Sequence, residues 1–225
     1  MAEETPLRSP TAADTESAAV DVFRDAAERV YGTPAAFAKI CRYRDILASR
    51  GIEWGLLGPR EVARLWDRHI LNSAAVASLV PPAATVADIG SGAGLPGVPV
   101  AVLRSDLRVD LVEPLLRRAT FLTQTAEELD LTERVTVVRA RSDEVTTRYD
   151  AVLSRALAPL DRLVRWCLPL LAEGGSILAL KGSSAQQEVA KHRALLRREG
   201  LVAKVVELQA DSAATPATVI TIQRV

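Results

Sequence analysis

Hydrophobic positions change their period near residue 83. Before it, apolar residues recur every three or four positions, the stripe of an amphipathic helix. The spacing predicts helices over Ser17–Val30 and Pro34–Ala48, with Gly32 and Gly51 as stops, and a longer one over Pro59–Leu79. Pro59 stands near the first turn of that third helix, and Pro81-Pro82 follow its end. Residues 1–16 are polar, contain Pro6 and Pro10, and read as a flexible tail ahead of a helical region over 17–82. From residue 83 onward, short apolar runs alternate with helical stripes. Strands are expected at Thr85–Ile89, Arg108–Val112, Val135–Arg139, Ala151–Leu153 and Ser176–Leu180. Helices are expected at Val98–Leu103, Leu115–Leu129, Leu160–Leu171 and Ala185–Arg198. Two more strands, Val202–Leu208 and Ala217–Gln223, close the chain around a turn at Asp211–Pro216.

Strand–helix alternation with short connections means an α/β fold with a mostly parallel sheet and helices on both faces. The two closing strands have no helix between them and should pair antiparallel. A doubly wound, Rossmann-like sheet ending in an antiparallel hairpin resembles the layout of class I methyltransferases. That domain would occupy residues 83–225, with the helices before it as an N-terminal extension.

Composition narrows the class. Of 225 residues, 48% are hydrophobic, so the chain is globular. Charges or prolines interrupt every apolar run within a dozen residues, so no membrane span is expected. The start, Met-Ala-Glu-Glu-Thr-Pro, has no basic region leading into an apolar core, and a cytoplasmic protein is expected. Cys41 and Cys167 stand alone, which reads as two reduced, buried thiols rather than a metal site or a disulfide. Net charge is zero, but the charges are unevenly placed. Residues 1–28 carry seven acids and two bases; residues 29–72 carry eight bases and four acids; residues 154–204 carry nine and four. Most of these bases are arginine, which suits phosphate recognition, although solvated helix faces would look the same.

Candidate chemistry centres on Asp88-Ile89-Gly90-Ser91-Gly92-Ala93-Gly94-Leu95-Pro96-Gly97, a strand running into a glycine-rich turn and a helix start. Glycines let the backbone bend sharply and approach a ligand closely. Residues 92–97 also satisfy G-x-G-x-x-G, so a dinucleotide reader has to be weighed. Two features favour S-adenosylmethionine. Asp88 precedes the turn, and Pro96 and Pro99 remove N–H donors that a diphosphate would need. A tight structural turn is the plain alternative. Glu113 ends the second strand, where a carboxylate can accept from two ribose hydroxyls, or simply favour the next helix start. Ser142-Asp143 follow the third strand and could take an adenine amino group or cap a short turn. Arg155 ends the fourth strand; it reads as functional, or as an ion-pair partner of Asp88 or Asp143. Lys181 ends the fifth and could line the same cleft or be an ordinary strand-end lysine. His69 reads as a structural hydrogen bonder, since two histidines give little room for a histidine-based triad. The basic cluster Lys191, Arg193, Arg197 and Arg198 suits a helix C-terminus and is mild evidence for RNA.

With these residues in view, the chain resembles the RsmG (GidB) family of bacterial 16S rRNA methyltransferases from roughly Pro59 to Leu208. Arg68-His69-Ile70-Leu71-Asn72-Ser73 resembles the family's R-H-I-L-D-S, with Asn72 where Asp is common. Asp88 to Pro99 resembles its D-[IV]-G-[ST]-G-x-G-L-P-G-[IV]-P, and Ser154-Arg155-Ala156 and Leu180-Lys181-Gly182 resemble its S-R-A and L-K-G. The resemblance implies S-adenosylmethionine as donor, N7 of one guanine in 16S rRNA as acceptor, and ligand contacts at Gly90, Leu95, Ser142, Asp143 and Arg155. The full expected donor set is Asp88, Gly90, Gly92, Gly94, Leu95, Glu113, Ser142, Asp143 and Arg155. Arg155 and Lys181 are expected to place the RNA, within the small subunit or an assembly intermediate. No metal is expected, and a monomer is. Guanine N7 is a free lone pair with no proton to lose, so direct in-line displacement without a general base is expected. The rivals are a small-molecule methyltransferase, a non-catalytic RNA-binding assembly factor and a nicotinamide oxidoreductase.

Overall fold

Apolar strands need cover on both faces, and the sheet obtains it from helices before, between and after its strands. A computed structural model describes residues 12–225, with side chains from residue 20. Its strands are β1 (Thr85–Ile89), β2 (Arg108–Val112), β3 (Val135–Val138), β4 (Tyr149–Arg155), β5 (Leu171–Lys181), β6 (Leu201–Leu208) and β7 (Ala217–Arg224). They form one seven-stranded sheet in the order β3-β2-β1-β4-β5-β7-β6. The first five are parallel. β7 runs antiparallel between β5 and β6, as the missing crossover helix required. Strand order reverses between β1 and β4, so a crevice opens at the carboxyl ends of these two strands.

The helices are α1 (Ala12–Tyr31), α2 (Pro34–Ile46), the single turn α3 (Asn72–Ala75), α4 (Gly97–Leu103), α5 (Leu116–Glu128), α6 (Leu160–Cys167), α7 (Ala185–Lys191) and α8 (Arg193–Arg198). One face of the sheet is covered by α1, α2, α4 and α5, with Ile40, Tyr43, Ile70, Val98 and Phe121 in a common core with Val86 and Leu111. The other face packs Leu160, Leu163 and Leu196 against Ile177 and Ile220. The N-terminal helices therefore complete the core of the sheet rather than forming a core of their own.

Several boundaries differ from the sequence reading, each for a local reason. The first helix starts at Ala12, not Ser17, so residues 12–16 of the expected tail are helical. Alanines are strong helix formers, and Ala12 and Ala13 open this stretch. The remainder of that tail lies outside the described residues. The third expected helix is a ribbon of changing pitch: 3₁₀ over Pro59–Arg64, π over Leu65–Leu71, the α3 turn, then 3₁₀ over Val76–Leu79. Its widened π turns bring Leu65, Trp66, His69, Ile70 and Leu71 to the buried side. α6 stops at Cys167 because Pro169 follows, and the chain makes one 3₁₀ turn before β5. The stripe over 185–198 breaks into two helices at His192. Cys167 is fully buried as expected, whereas Cys41 is only half-buried on α2. No described helix is long and apolar enough to cross a membrane.

Candidate active site

The glycine turn follows β1 into the crevice. Gly90 has φ +70°, and a Cβ there would lie 2.4 Å from Leu157 Cδ1, so any side chain would be strained and would push Leu157 aside. A Cβ on Gly97 would meet Leu111 Cδ2 at 2.4 Å and Asp88 Oδ2 at 2.8 Å, so helix α4 can approach the sheet only on glycine. Asp88 is fully buried behind the turn. Its Oδ2 accepts from Ser91 Oγ at 2.7 Å and from the Gly97 N–H at 2.9 Å. Its Oδ1 has no hydrogen-bond partner among the described residues. Burial, against these two hydrogen bonds, pushes the Asp88 carboxyl up to about 6. Asp88 thus ties the two ends of the loop together and does not face the cleft.

Glu113, at the end of β2, is also buried, but its carboxylate faces the loop. Oε2 accepts from the Gly92 N–H at 3.1 Å and Oε1 from the Leu115 N–H at 3.0 Å, and Arg118 approaches to 3.9 Å. The acid thus takes an N–H just ahead of α5 and also lines the cleft. That cleft, of about 420 Å³, is bounded by Gly90, Glu113, Leu115, Ser142, Arg155, Leu157 and Trp166. From the other side, the N-terminal helices brace the loop. Tyr43 Oη donates to the Ala93 carbonyl at 2.8 Å, and Tyr31 Oη donates to that of Pro99 at 3.4 Å. Burial holds both phenols well above their ordinary value.

A second cleft of about 980 Å³ adjoins the first, and the two share Arg155, Ala156 and Leu157. It runs between Arg64, Arg68 and Asn72 of the helical ribbon, Lys181 at the end of β5 with Gly182 after it, and Thr215 and Thr218 of the closing hairpin. Arg155 does not pair with Asp88 or Asp143. Its guanidinium reaches the ribbon, donating to the Arg68 carbonyl at 3.1 Å, to His69 Nδ1 at 3.0 Å, and to the His69 carbonyl and Ser73 Oγ at 3.4 Å. Lys181 Nζ donates to Glu188 Oε2 and to the Ala158 carbonyl, each at 2.8 Å, so its charge is largely used locally. Asp67 accepts from both the N–H and the hydroxyl of Thr215 at 2.7 Å, which pins the hairpin turn to the ribbon.

A model of the family described as GidB, rRNA small subunit methyltransferase G, matches residues 36–214. The chain belongs to this family. It is 49% identical over 206 residues to a protein of Mycolicibacterium smegmatis called ribosomal RNA small subunit methyltransferase G, covering 89% of this chain and 86% of that one. The like-named protein of Streptomyces avermitilis is 47% identical over 191 residues, 84% of this chain and 79% of that one. Among solved structures, an S-adenosylmethionine-dependent methyltransferase from Methanococcus maripaludis has a TM-score of 0.55 at 16% identity, covering 77% of this chain and 89% of that one. The TYW2 protein of Pyrococcus horikoshii, solved with MeSAdo, has a TM-score of 0.54 at 13% identity, covering 68% and 61%. These two show the same fold, so the expected class I methyltransferase layout holds.

Of the residues the sequence singled out for the donor, Gly90, Glu113, Ser142 and Arg155 line the smaller cleft. Gly92, Gly94 and Leu95 form the body of the loop behind it. Asp143 is exposed on a short 3₁₀ turn, 3.4 Å from Arg141 Nε. Lys181 lines only the larger cleft. Sequence reading missed the bracing tyrosines, the Asp67–Thr215 clasp, and Leu157 and Trp166 in the cleft wall. All are side chains whose partners lie far away in the chain, so no local pattern marks them.

Proposed function

We propose that this protein transfers a methyl group from S-adenosylmethionine to N7 of one guanine in the 16S rRNA of the small ribosomal subunit. The observation that carries the reading is the shared wall: Arg155, Ala156 and Leu157 border both clefts at the carboxyl end of β4. A donor in the smaller cleft and a base in the larger one would meet there. The relatives are named as methyltransferases of small-subunit rRNA, which supports RNA as the acceptor.

The smaller cleft fits such a donor. Its volume lies in the small-molecule range, and a few polar groups sit in a mostly apolar wall. Gly90 would present bare backbone to the donor, Glu113 would accept from its ribose hydroxyls, and Ser142 would stand at its base. Asp88, Gly92, Gly94 and Leu95 would shape the loop that holds it, and Asp143 would stand at the rim. When bound, S-adenosylmethionine supplies an electrophilic methyl carbon on a sulfonium. The acceptor N7 needs no deprotonation, so the chain's residues have to align rather than remove a proton, and in-line placement is their contribution. Lys181 is engaged by Glu188 and Arg64 pairs with Glu61 at 3.7 Å, so Arg68, on the exposed face of the ribbon, is better placed to meet phosphates.

The test is transfer of labelled methyl from S-adenosylmethionine into unmodified 16S rRNA, offered naked and as small subunits, with Gly90→Asp as control. Label at a single N7-methylguanosine, absent with the control, is the expected result. Donor binding without label in either RNA form would move a small-molecule acceptor to first place.

A further inference from the structure

Arg155 stands in the wall between the two clefts, yet nothing in its own strand holds its guanidinium. The hold comes from the helical ribbon, and it runs through a buried histidine. A guanidinium has only donors. At 3.0 Å from Arg155 Nη2, His69 Nδ1 must therefore act as acceptor. The ring proton then sits on Nε2, 2.7 Å from Glu61 Oε2, to which it donates. His69 is 7% exposed, so the ring is buried among these partners. The π turns over Leu65–Leu71 contribute as well, since Arg155 also takes the Arg68 and His69 carbonyls.

We propose that His69 and Glu61 are positioning residues for methyl transfer: a neutral His69, fixed as the Nε2–H tautomer by Glu61, presents Nδ1 to Arg155 and sets that guanidinium in the wall where donor and acceptor meet. This rests on the function proposed above. The charged groups facing His69 are Arg155 from β4, Glu61 from the 3₁₀ turn and Arg68 from its own turn. Burial and Arg155 hold the imidazole below the ordinary histidine range, against the pull of Glu61. Protonation would remove the acceptor and set a cation against Arg155, so activity falls on the acid side as His69 charges.

With only two histidines in the chain, a long-range proton–nitrogen NMR spectrum, assigned with His192→Gln, reads the ring directly. His69 is expected as Nε2–H at neutral pH. Glu61→Ala is expected to lose up to about a hundredfold in kcat/KM for RNA, because misplacement of about 1 Å has that effect. Glu61→Gln, whose carbonyl still accepts from Nε2, recovers most of the loss and moves the acid limb of the pH profile lower, because the carboxylate no longer favours the imidazolium. An Nδ1–H ring or an imidazolium at neutral pH, or Glu61→Ala equal to the parent, overturns the inference. Should the parent transfer no methyl to RNA, the proposed function fails and the positioning claim with it, while the NMR spectrum still decides whether Glu61 and Arg155 hold His69 as the Nε2–H tautomer.

Discussion

The two clefts meet at one wall but are built in opposite ways. The smaller one lies where the glycine turn after β1 meets the segments that follow β2, β3 and β4, with Trp166 of α6 in its wall. The turn at its edge is fixed by backbone conformation and by two buried carboxylates, Asp88 and Glu113. The larger one is made by side chains from the ribbon, β5 and the closing hairpin, held together by clasps such as Asp67 to Thr215. A site made of backbone is intolerant at single positions. A site made of distant side chains fails gradually, one contact at a time. The difference matches the tasks proposed for them: a small donor of fixed shape against a long, charged polymer.

The sharpest way to break the comparison is Gly90→Asp. A Cβ at φ +70° in contact with Leu157 costs about 1–3 kcal/mol of backbone strain alone. Donor affinity measured by calorimetry should therefore fall about tenfold to more than a hundredfold, while RNA binding by the larger cleft changes little. If RNA binding fell equally, the clefts would not be separable.

Asp88→Asn probes the carboxylate that ties the loop. A raised carboxyl pKa means that the folded state holds its proton longer than the unfolded one. Its stabilising contribution is complete below the unfolded value of 3.8 and is lost as pH rises through about 6. The stability of the variant relative to the parent should therefore rise between pH 4 and 6, by about 1–3 kcal/mol from the size of the shift. Urea denaturation at a series of pH values checks this; a flat difference would mean that burial does not disfavour the charged form of Asp88.

Arg68→Ala is the mildest. Its side chain is exposed and has no ion-pair or hydrogen-bond partner among the described residues. Removing one phosphate contact should lower the slope of log affinity against log salt by about 1, with donor affinity unchanged. An unchanged slope would remove this face of the ribbon from the RNA path.

Much of this was legible in the residues. The switch in hydrophobic period marked the parallel sheet, and the missing helix before Ala217 announced the antiparallel hairpin that β6 and β7 form. The glycine loop was legible because its requirement is local: positive φ and close approach are written in the residue type itself. Glu113 was read as a ribose ligand or as a helix-start acid, and its two oxygens take the N–H groups of Gly92 and Leu115 at the edge of the cleft. Asp88 was placed among the donor contacts because the motif puts it beside the loop; only burial showed that it faces away.

The sequence by itself determined the order of elements, the position of the turn and the residues at each strand end. Hydrophobic period and glycine conformation act over a few residues, so they need no partner to be seen. Tertiary structure alone decided that the N-terminal helices belong to the core of the sheet, that the third helix widens into a π ribbon, and that Arg155 answers to His69 rather than to Asp88. Those outcomes depend on which side chains meet across distant stretches of chain, and packing and hydrogen bonding settle that only once the sheet has closed.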